Sequence, residues 1–373
     1  MFSFNQKAMN KQKDIKIGII TRHFIPNYGS FLQSFALVSY LNSLGYSAEI
    51  INYVPEDEQE GSVLNQTKKL KGIKKAFYNL LITPLHRRSY RDMERIRKEY
   101  LKESPLYSEK NISLAKYDIY MAGSDQLWGT IGNKFFDPNY FLGFTSSKNK
   151  ISFSSSFGFR NFSSLYHVPY STLLSQFKSI SVREESAKAF LSSLSINSEV
   201  VLDPTFLLTK KEYENLARIP KGSKKNYILV YQLHHDSMAQ KVADNISKLS
   251  GCCIVSVTPN LARAFFSFRT KYCYDPFQFL TFLANAKYVV TDSFHGTVFS
   301  IIFGKQFYSI NPGKTAARIE DLLSRLCLES RFISTKSIDC LLPDIDYSFV
   351  NSKLDEEIRK TKKILQDELR GCN

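Results

Sequence analysis

Long apolar runs are missing from this sequence. Nowhere do about 18 apolar residues follow one another, the length a helix needs to cross a bilayer. The amino terminus, MFSFNQKAMNKQKDIKIGII, has no apolar stretch ahead of its charges, so no secretory signal is expected. Cysteine is scarce and poorly spaced for chemistry. All six (Cys252, Cys253, Cys273, Cys327, Cys340 and Cys372) fall in the last third, and no C-x-x-C pair occurs. The adjacent Cys252 and Cys253 do not fit zinc spacing. Free buried thiols in a reducing compartment are expected instead, and with them a cytoplasmic protein. Fixed-period repeats and low-complexity tracts are absent too, which sets aside solenoids and disordered tails.

Acidic residues are outnumbered. Against 50 Lys and Arg stand 35 Asp and Glu, a formal net charge of +15. The excess is local: between Lys68 and Lys102, twelve Lys/Arg face only Asp92, Glu94 and Glu99, so this window alone carries +9. Leu70, Ile73, Phe77 and Leu80 recur there at helical spacing, with Lys69, Lys71, Lys74 and Lys75 around them. Two readings stay open: the solvated face of a packed helix, or a patch resting on the anionic inner face of a membrane. Nucleic acid is not expected as a partner, because no recognised nucleic-acid module accompanies the charge.

What is there is ample apolar material in short pieces. The 373 residues are 43% hydrophobic and 14% aromatic, enough to bury more than one core. Residues 15–21 (IKIGIIT) read as a buried strand, 31–44 as a helix stopped at Gly45, and 48–53 as a second strand. Strand, helix and strand within about 40 residues make a βαβ unit, hence a parallel sheet. More strands are expected at 119–122, 151–153, 180–182 and 200–202. Past Asp203-Pro204 and a lysine-rich polar stretch, others follow at 227–231, 253–257, 288–291 and 306–309. The expected architecture is α/β, with two Rossmann-like parallel-sheet domains facing a cleft. An N-terminal domain would span 14–206, with a basic helical insertion at 62–105, and a C-terminal domain 207–350. The charged helix of 351–373 could return to the first domain.

Open parallel sheets bind ligands at the carboxyl ends of their strands, and the conspicuous motifs stand there. Pro26-Asn27-Tyr28-Gly29-Ser30 joins the first strand to its helix; Gly29 permits a positive φ and Ser30 can cap. It is not a G-x-G-x-x-G loop, which argues against a nicotinamide cofactor. Gly123-Ser124-Asp125-Gln126-Leu127-Trp128 places the only Trp beside planar carboxylate and amide groups, a set that suits a sugar or a structural core. Arg183, closing a strand in Ser-Val-Arg-Glu-Glu, can fork onto a carboxylate or phosphate, or pair with Glu184 or Glu185. In Thr291-Asp292-Ser293-Phe294-His295-Gly296-Thr297 a strand ends and an apolar helix opens beside a lone His. That His can bind an anion when charged, or carry a proton.

Taken in order, these segments resemble the polysaccharide pyruvyl transferase family. The resemblance rests on NYGSFLQSFAL, Gly-Ser-Asp-Gln-x-Trp, Ser-Ser-Phe-Gly (155–158), Ser-Val-Arg-Glu, Leu-Asp-Pro-Thr (202–205) and Thr-Asp-Ser-Phe-His-Gly, across roughly residues 15 to 320. It implies a fold like the GT-B glycosyltransferases, with phosphoenolpyruvate as donor in the cleft. By the same resemblance Arg183 holds the donor's carboxylate or phosphate, and His295 binds phosphate or relays a proton. Ser293, Gly296, Thr297 and Arg318 fall to the donor side. Asn27, Tyr28, Gly29, Ser124, Asp125, Gln126 and Trp128 fall to the acceptor or the cleft. Either His295 or an acid such as Asp125 would protonate carbon. No metal and no cofactor beyond the co-substrate phosphoenolpyruvate are expected. The acceptor would be a sugar or a lipid-linked oligosaccharide of exopolysaccharide, capsule or cell-wall glycan synthesis. A nucleotide-sugar glycosyltransferase on the same fold is the alternative, distinguished by protection with a nucleoside diphosphate. Ser30, where the family more often has Ala, is a mild departure.

Overall fold

The computed structural model describes residues 15–56, 58, 71–129, 137–158, 167–217, 226–233, 237–267, 269–334, 338 and 340–372. Its first sheet comprises β1 (Lys16–Ile20), β2 (Ser47–Ile50), β3 (Ile119–Ala122), β4 (Lys150–Ser155), β5 (Ser179–Val182) and β6 (Glu199–Val200). Its second holds β7 (Tyr227–Tyr231), β8 (Ile254–Thr258), β9 (Thr270–Tyr272), β10 (Ala286–Thr291), β11 (Gln306–Ile310) and β12 (Phe332–Ile333). The strand orders are β2-β1-β3-β4-β5-β6 and β12-β11-β10-β7-β8-β9, and every pairing is parallel. These are the two Rossmann-like domains the alternation implied. Central strands such as IYMA of β3 and YILVY of β7 are buried along their whole length, because helices cover both faces of a parallel sheet.

The helices of the first domain are α1 (Tyr28–Ser43), α2 (Gly72–Phe77), α3 (Thr83–Tyr100), α4 (His167–Leu174) and α5 (Glu185–Ser193). A π-helical turn, Tyr78–Ile82, joins α2 to α3. In the second part lie α6 (Lys210–Ala217), α7 (Met238–Ser250), α8 (Leu261–Phe265), α9 (Pro276–Asn285), α10 (Phe294–Ile302), α11 (Ala317–Arg325) and α12 (Tyr347–Gly371). Three elements differ from expectation for local reasons. Helix α1 begins three residues before 31, because the Asn27 side chain accepts from Gly29 N–H (2.8 Å) and Ser30 N–H (3.4 Å) and caps it earlier. β9 and β12 are too short to carry an apolar signature.

The domains share apolar surface. Tyr28, Phe31 and Leu32 of α1 join Tyr231, Phe277, Phe279 and Phe299 in one cluster. Helix α12 binds the halves together. Val350 and Leu354 pack in that cluster, whereas Leu365, Leu369 and Cys372 lie against Ile17, Ile19, Leu37 and Leu41 of the first domain. The chain thus does return to its start.

Candidate functional site

The carboxyl ends of β3, β4, β5 and β6 meet the end of β10 at the domain junction, and a buried charge cluster forms there. Its hub is Asp203, which follows β6. Asp203 Oδ2 accepts from Arg183 Nη1 (2.7 Å) and Ser124 Oγ (3.1 Å), and stands 3.4 Å from His295 Nε2. Its Oδ1 is held by the Thr205 N–H and hydroxyl, at 3.0 and 2.7 Å. Burial alone would raise this carboxyl, but His295 and Arg183 outweigh burial and hold it well below the usual carboxylate range. Asp203 was quoted in the Leu-Asp-Pro-Thr motif without being given a role. The groups that meet its Oδ2 are distant in sequence, so only the fold shows it as the centre.

Arg183 therefore pairs with Asp203, not with Glu184 or Glu185. Glu184 is committed elsewhere: its Oε1 accepts from Ser156 Oγ, Phe157 N–H and Gly158 N–H, at 2.9, 2.9 and 3.3 Å. It fixes the Ser-Ser-Phe-Gly loop, and Glu185 N–H donates to Asp321.

The pair leaves donors unspent. Arg183 Nε and Nη2 and Arg318 Nε are buried without a hydrogen-bond partner, whereas His295 Nε2 has the contact to Asp203 Oδ2 at 3.4 Å. Arg183 and Arg318 both lie over the Phe294 ring, with guanidinium carbons 4.7 and 5.4 Å from its centroid. Burial and then repulsion from Arg183 push the Arg318 guanidinium down to about 10. Two like charges held this close, with free N–H groups, have the chemistry an anion would neutralise.

On the other side of the cluster, half-buried Asp125 sits at φ +88°, a left-handed conformation that is uncommon for Asp. Ser30 Oγ donates to its Oδ2 (2.8 Å) and Gln126 N–H to its Oδ1 (2.7 Å). Ser30, a mild departure in sequence terms, thus has a structural task. Burial acts to raise the Asp125 carboxyl, but Arg183, His295 and Arg318 together bring it below the ordinary range.

Several residues assigned to ligands by sequence are occupied in building the site. Ser293 caps α10, its Oγ accepting from Gly296 N–H (3.3 Å). Thr297 turns inward, its hydroxyl 2.6 Å from Ser309 Oγ, and its N–H donates to Ser293 O. The backbone donors of Gly296 and Thr297 are thereby spent. Asn27 caps α1, and Gly29 is where the His295 ring seats: a Cβ there would stand 2.0 Å from Nδ1. Tyr28 is fully buried, stacked 4.3 Å from Phe279, and its hydroxyl donates to Cys273 O. Trp128 is fully buried too; it stacks on Phe141 (5.6 Å) and donates to Tyr140 O. Neither ring offers a face to a sugar. Both apolar bodies earn more by burial, and their polar tips find carbonyls there.

Beside the cluster lies a cavity of about 490 Å³ at the ends of β1 and β2, walled by Phe24, Asn52, Glu58, Tyr90 and Arg97 among others. Arg22 stands between the two, bonded to Glu58 at 2.8 Å and within the field of Asp125. Among the described residues, no three His, Cys, Asp or Glu side chains converge as metal ligands would.

The family whose model is described as polysaccharide pyruvyl transferase matches residues 27–314. No curated protein matches the sequence closely enough to count. Among solved structures, UDP-GlcNAc 2-epimerase from Neisseria meningitidis, bound to UDP-GlcNAc, is 11% identical with a TM-score of 0.46, over 95% of this chain and all of its own. UDP-GlcNAc 2-epimerase from Methanocaldococcus jannaschii is 14% identical with a TM-score of 0.45, over 92% of this chain and 93% of its own.

Proposed function

This chain belongs to the polysaccharide pyruvyl transferase family, and from that premise we propose that phosphoenolpyruvate is its donor and a glycan sugar its acceptor. The product would be a pyruvate ketal in exopolysaccharide, capsule or cell-wall glycan synthesis. One observation carries the donor assignment: Arg183 Nε and Nη2 and Arg318 Nε are buried without a hydrogen-bond partner, both guanidinium groups lying at the Phe294 ring beside His295. Phosphoenolpyruvate carries a carboxylate and a phosphate on the same carbon, C2, and two guanidinium groups suit that pair.

The reaction needs an acid, a sink for negative charge, and exclusion of water. A proton delivered to the donor's methylene carbon makes C2 oxocarbenium-like. A sugar hydroxyl oxygen bonds to C2 and gives up its proton, and the bond from C2 to the phosphate oxygen breaks to release phosphate. The second hydroxyl oxygen then bonds to C2, gives up its proton and closes the ketal. Of the two hydroxyl protons one restores the acid and the other leaves on phosphate, so that one donor and one diol yield one ketal and one phosphate. Arg183 and Arg318 neutralise the donor's anions without reorganising, because Asp203 and the Phe294 ring already hold them. His295 supplies or accepts the proton nearest the phosphate, and Asp125 faces it from the first domain, on the side of the cavity we assign to the acceptor. The cationic groups are side chains, and no metal or further cofactor is invoked.

The direct test is thermal stability with millimolar phosphoenolpyruvate, against phosphate, pyruvate and uridine diphosphate. A rise with phosphoenolpyruvate that vanishes in Arg183→Ala is expected. A rise with uridine diphosphate alone would transfer the site to nucleotide-sugar chemistry. In turnover, Arg183→Ala and His295→Ala should each lose about a hundredfold or more.

A further inference from the structure

The continuous helical stretch from α2 through the π turn into α3 leaves an apolar face in water. Ile73, Phe77, Leu80 and Leu81 are 89, 50, 76 and 41% exposed. Their spacing puts them on one side of a helix. The sequence around them is uniformly basic: from Lys71 to Arg91 there are Lys71, Lys74, Lys75, Arg87, Arg88 and Arg91, with no Asp or Glu. Lys71, Lys75, Arg87, Arg88 and Arg91 are exposed. Leu70 and Lys69, part of the same periodicity, lie outside the described residues, as does the Lys74 side chain. A second exposed apolar pair, Phe265 and Phe266, closes α8, which docks on α3 through Leu261 N–H to Ser89 Oγ (2.9 Å).

The charge decides among occupants. A second copy meeting this face with its own would set two basic surfaces against each other. A nucleic-acid backbone would satisfy the cations and leave four large apolar side chains in water. An anionic bilayer satisfies both, since its headgroups meet Lys and Arg while its acyl boundary takes Ile, Phe and Leu. We propose that the 71–91 helix is a docking surface for an anionic lipid membrane, with Ile73, Phe77, Leu80 and Leu81 entering the headgroup–acyl boundary. The far end of the same helix, through Tyr90, Glu94, Arg97 and Lys98, walls the cavity at the ends of β1 and β2. The surface stands independently of the donor's identity.

The test is sedimentation of the full chain with phosphatidylcholine vesicles, with and without phosphatidylglycerol, at low and high salt. Phe77→Asp and the pair Ile73→Asp with Leu80→Asp change exposed positions, and an unaltered thermal midpoint shows that each has folded. The parent should pellet with anionic vesicles alone, less so at high salt, and the variants should need about tenfold more lipid. A parent that stays in solution with anionic vesicles at low salt overturns the proposal. So does a Phe77→Asp protein that binds as well as the parent, which would mean adsorption by charge alone. Association of the parent with duplex DNA or with itself, lost in the same variants, would also overturn it.

Discussion

His295 Nε2 and Asp203 Oδ2 stand 3.4 Å apart across the junction of the two domains, and Arg183 shares that same carboxylate oxygen at 2.7 Å. One oxygen thus sets the position of both candidate donor-binding groups. The arrangement leaves Arg183 Nε and Nη2 without a partner, and it makes the site depend on how the domains meet.

Asp203→Asn should keep the shape and remove the charge. Arg183 and His295 would then face each other with no carboxylate between them. Turnover should fall about a hundredfold, as for other lost electrostatic support, and stability by about 1–3 kcal/mol. The pH dependence has a definite sign. The Asp203 carboxyl is held below its ordinary range, so its stabilisation is present above about pH 4 and disappears as pH falls toward the folded-state value. Acid melts should therefore show a shallower acid limb in the variant than in the parent; identical limbs and parental turnover would refute the hub.

Gly29→Ala adds one methyl group where the His295 ring sits, 2.0 Å from Nδ1. No such approach is tolerated, so the ring must move. Phosphate release should drop by about tenfold or more, while the thermal midpoint changes little beyond the strain of one displaced ring. Parental turnover in this variant would show that the seat is not needed.

Glu368, on α12, is buried beside the first sheet, and burial pushes its carboxyl from 4.5 up to about 8. Between these values the folded protein holds a proton that the unfolded chain has released, so stability falls as pH rises through the window. Glu368→Gln removes that slope. Its midpoint should exceed the parent's at pH 8 to 9 and converge on it near pH 5, as calorimetry at the two pH values would show.

Trp128→Phe distinguishes a core residue from a sugar platform. The ring is enclosed by Phe141, Phe157 and Phe177, so the smaller side chain should cost about 1–3 kcal/mol of stability. KM for both substrates should stay where it was. A rise in acceptor KM without loss of stability would return Trp128 to the cleft.

Much of this was legible in residue order. Strands such as IYMA and YILVY declare themselves because both faces of a parallel sheet are buried, which forces a continuous apolar run that no surface element carries. Arg183 and His295 stood out by type and by place, each at the end of such a run. Asp203 did not, because Asp203-Pro204 reads as a break between two series of strands, and the three groups at its Oδ2 lie 20, 79 and 92 positions away. Tyr28 and Trp128, given to the cleft side in sequence, are fully buried in the structure. An aromatic beside polar groups looks the same in sequence whether its flat face meets a sugar or a neighbouring ring.

Sequence alone determined the alternation of strand and helix, the two-sheet architecture and the chemical types gathered at the strand ends. Those are consequences of local periodicity and short-range turns. Tertiary structure alone decided which charges pair, which donors remain unspent, and that the helix closing the chain runs back across both domains. Such outcomes depend on distances between residues far apart in the chain, and on which groups burial deprives of water.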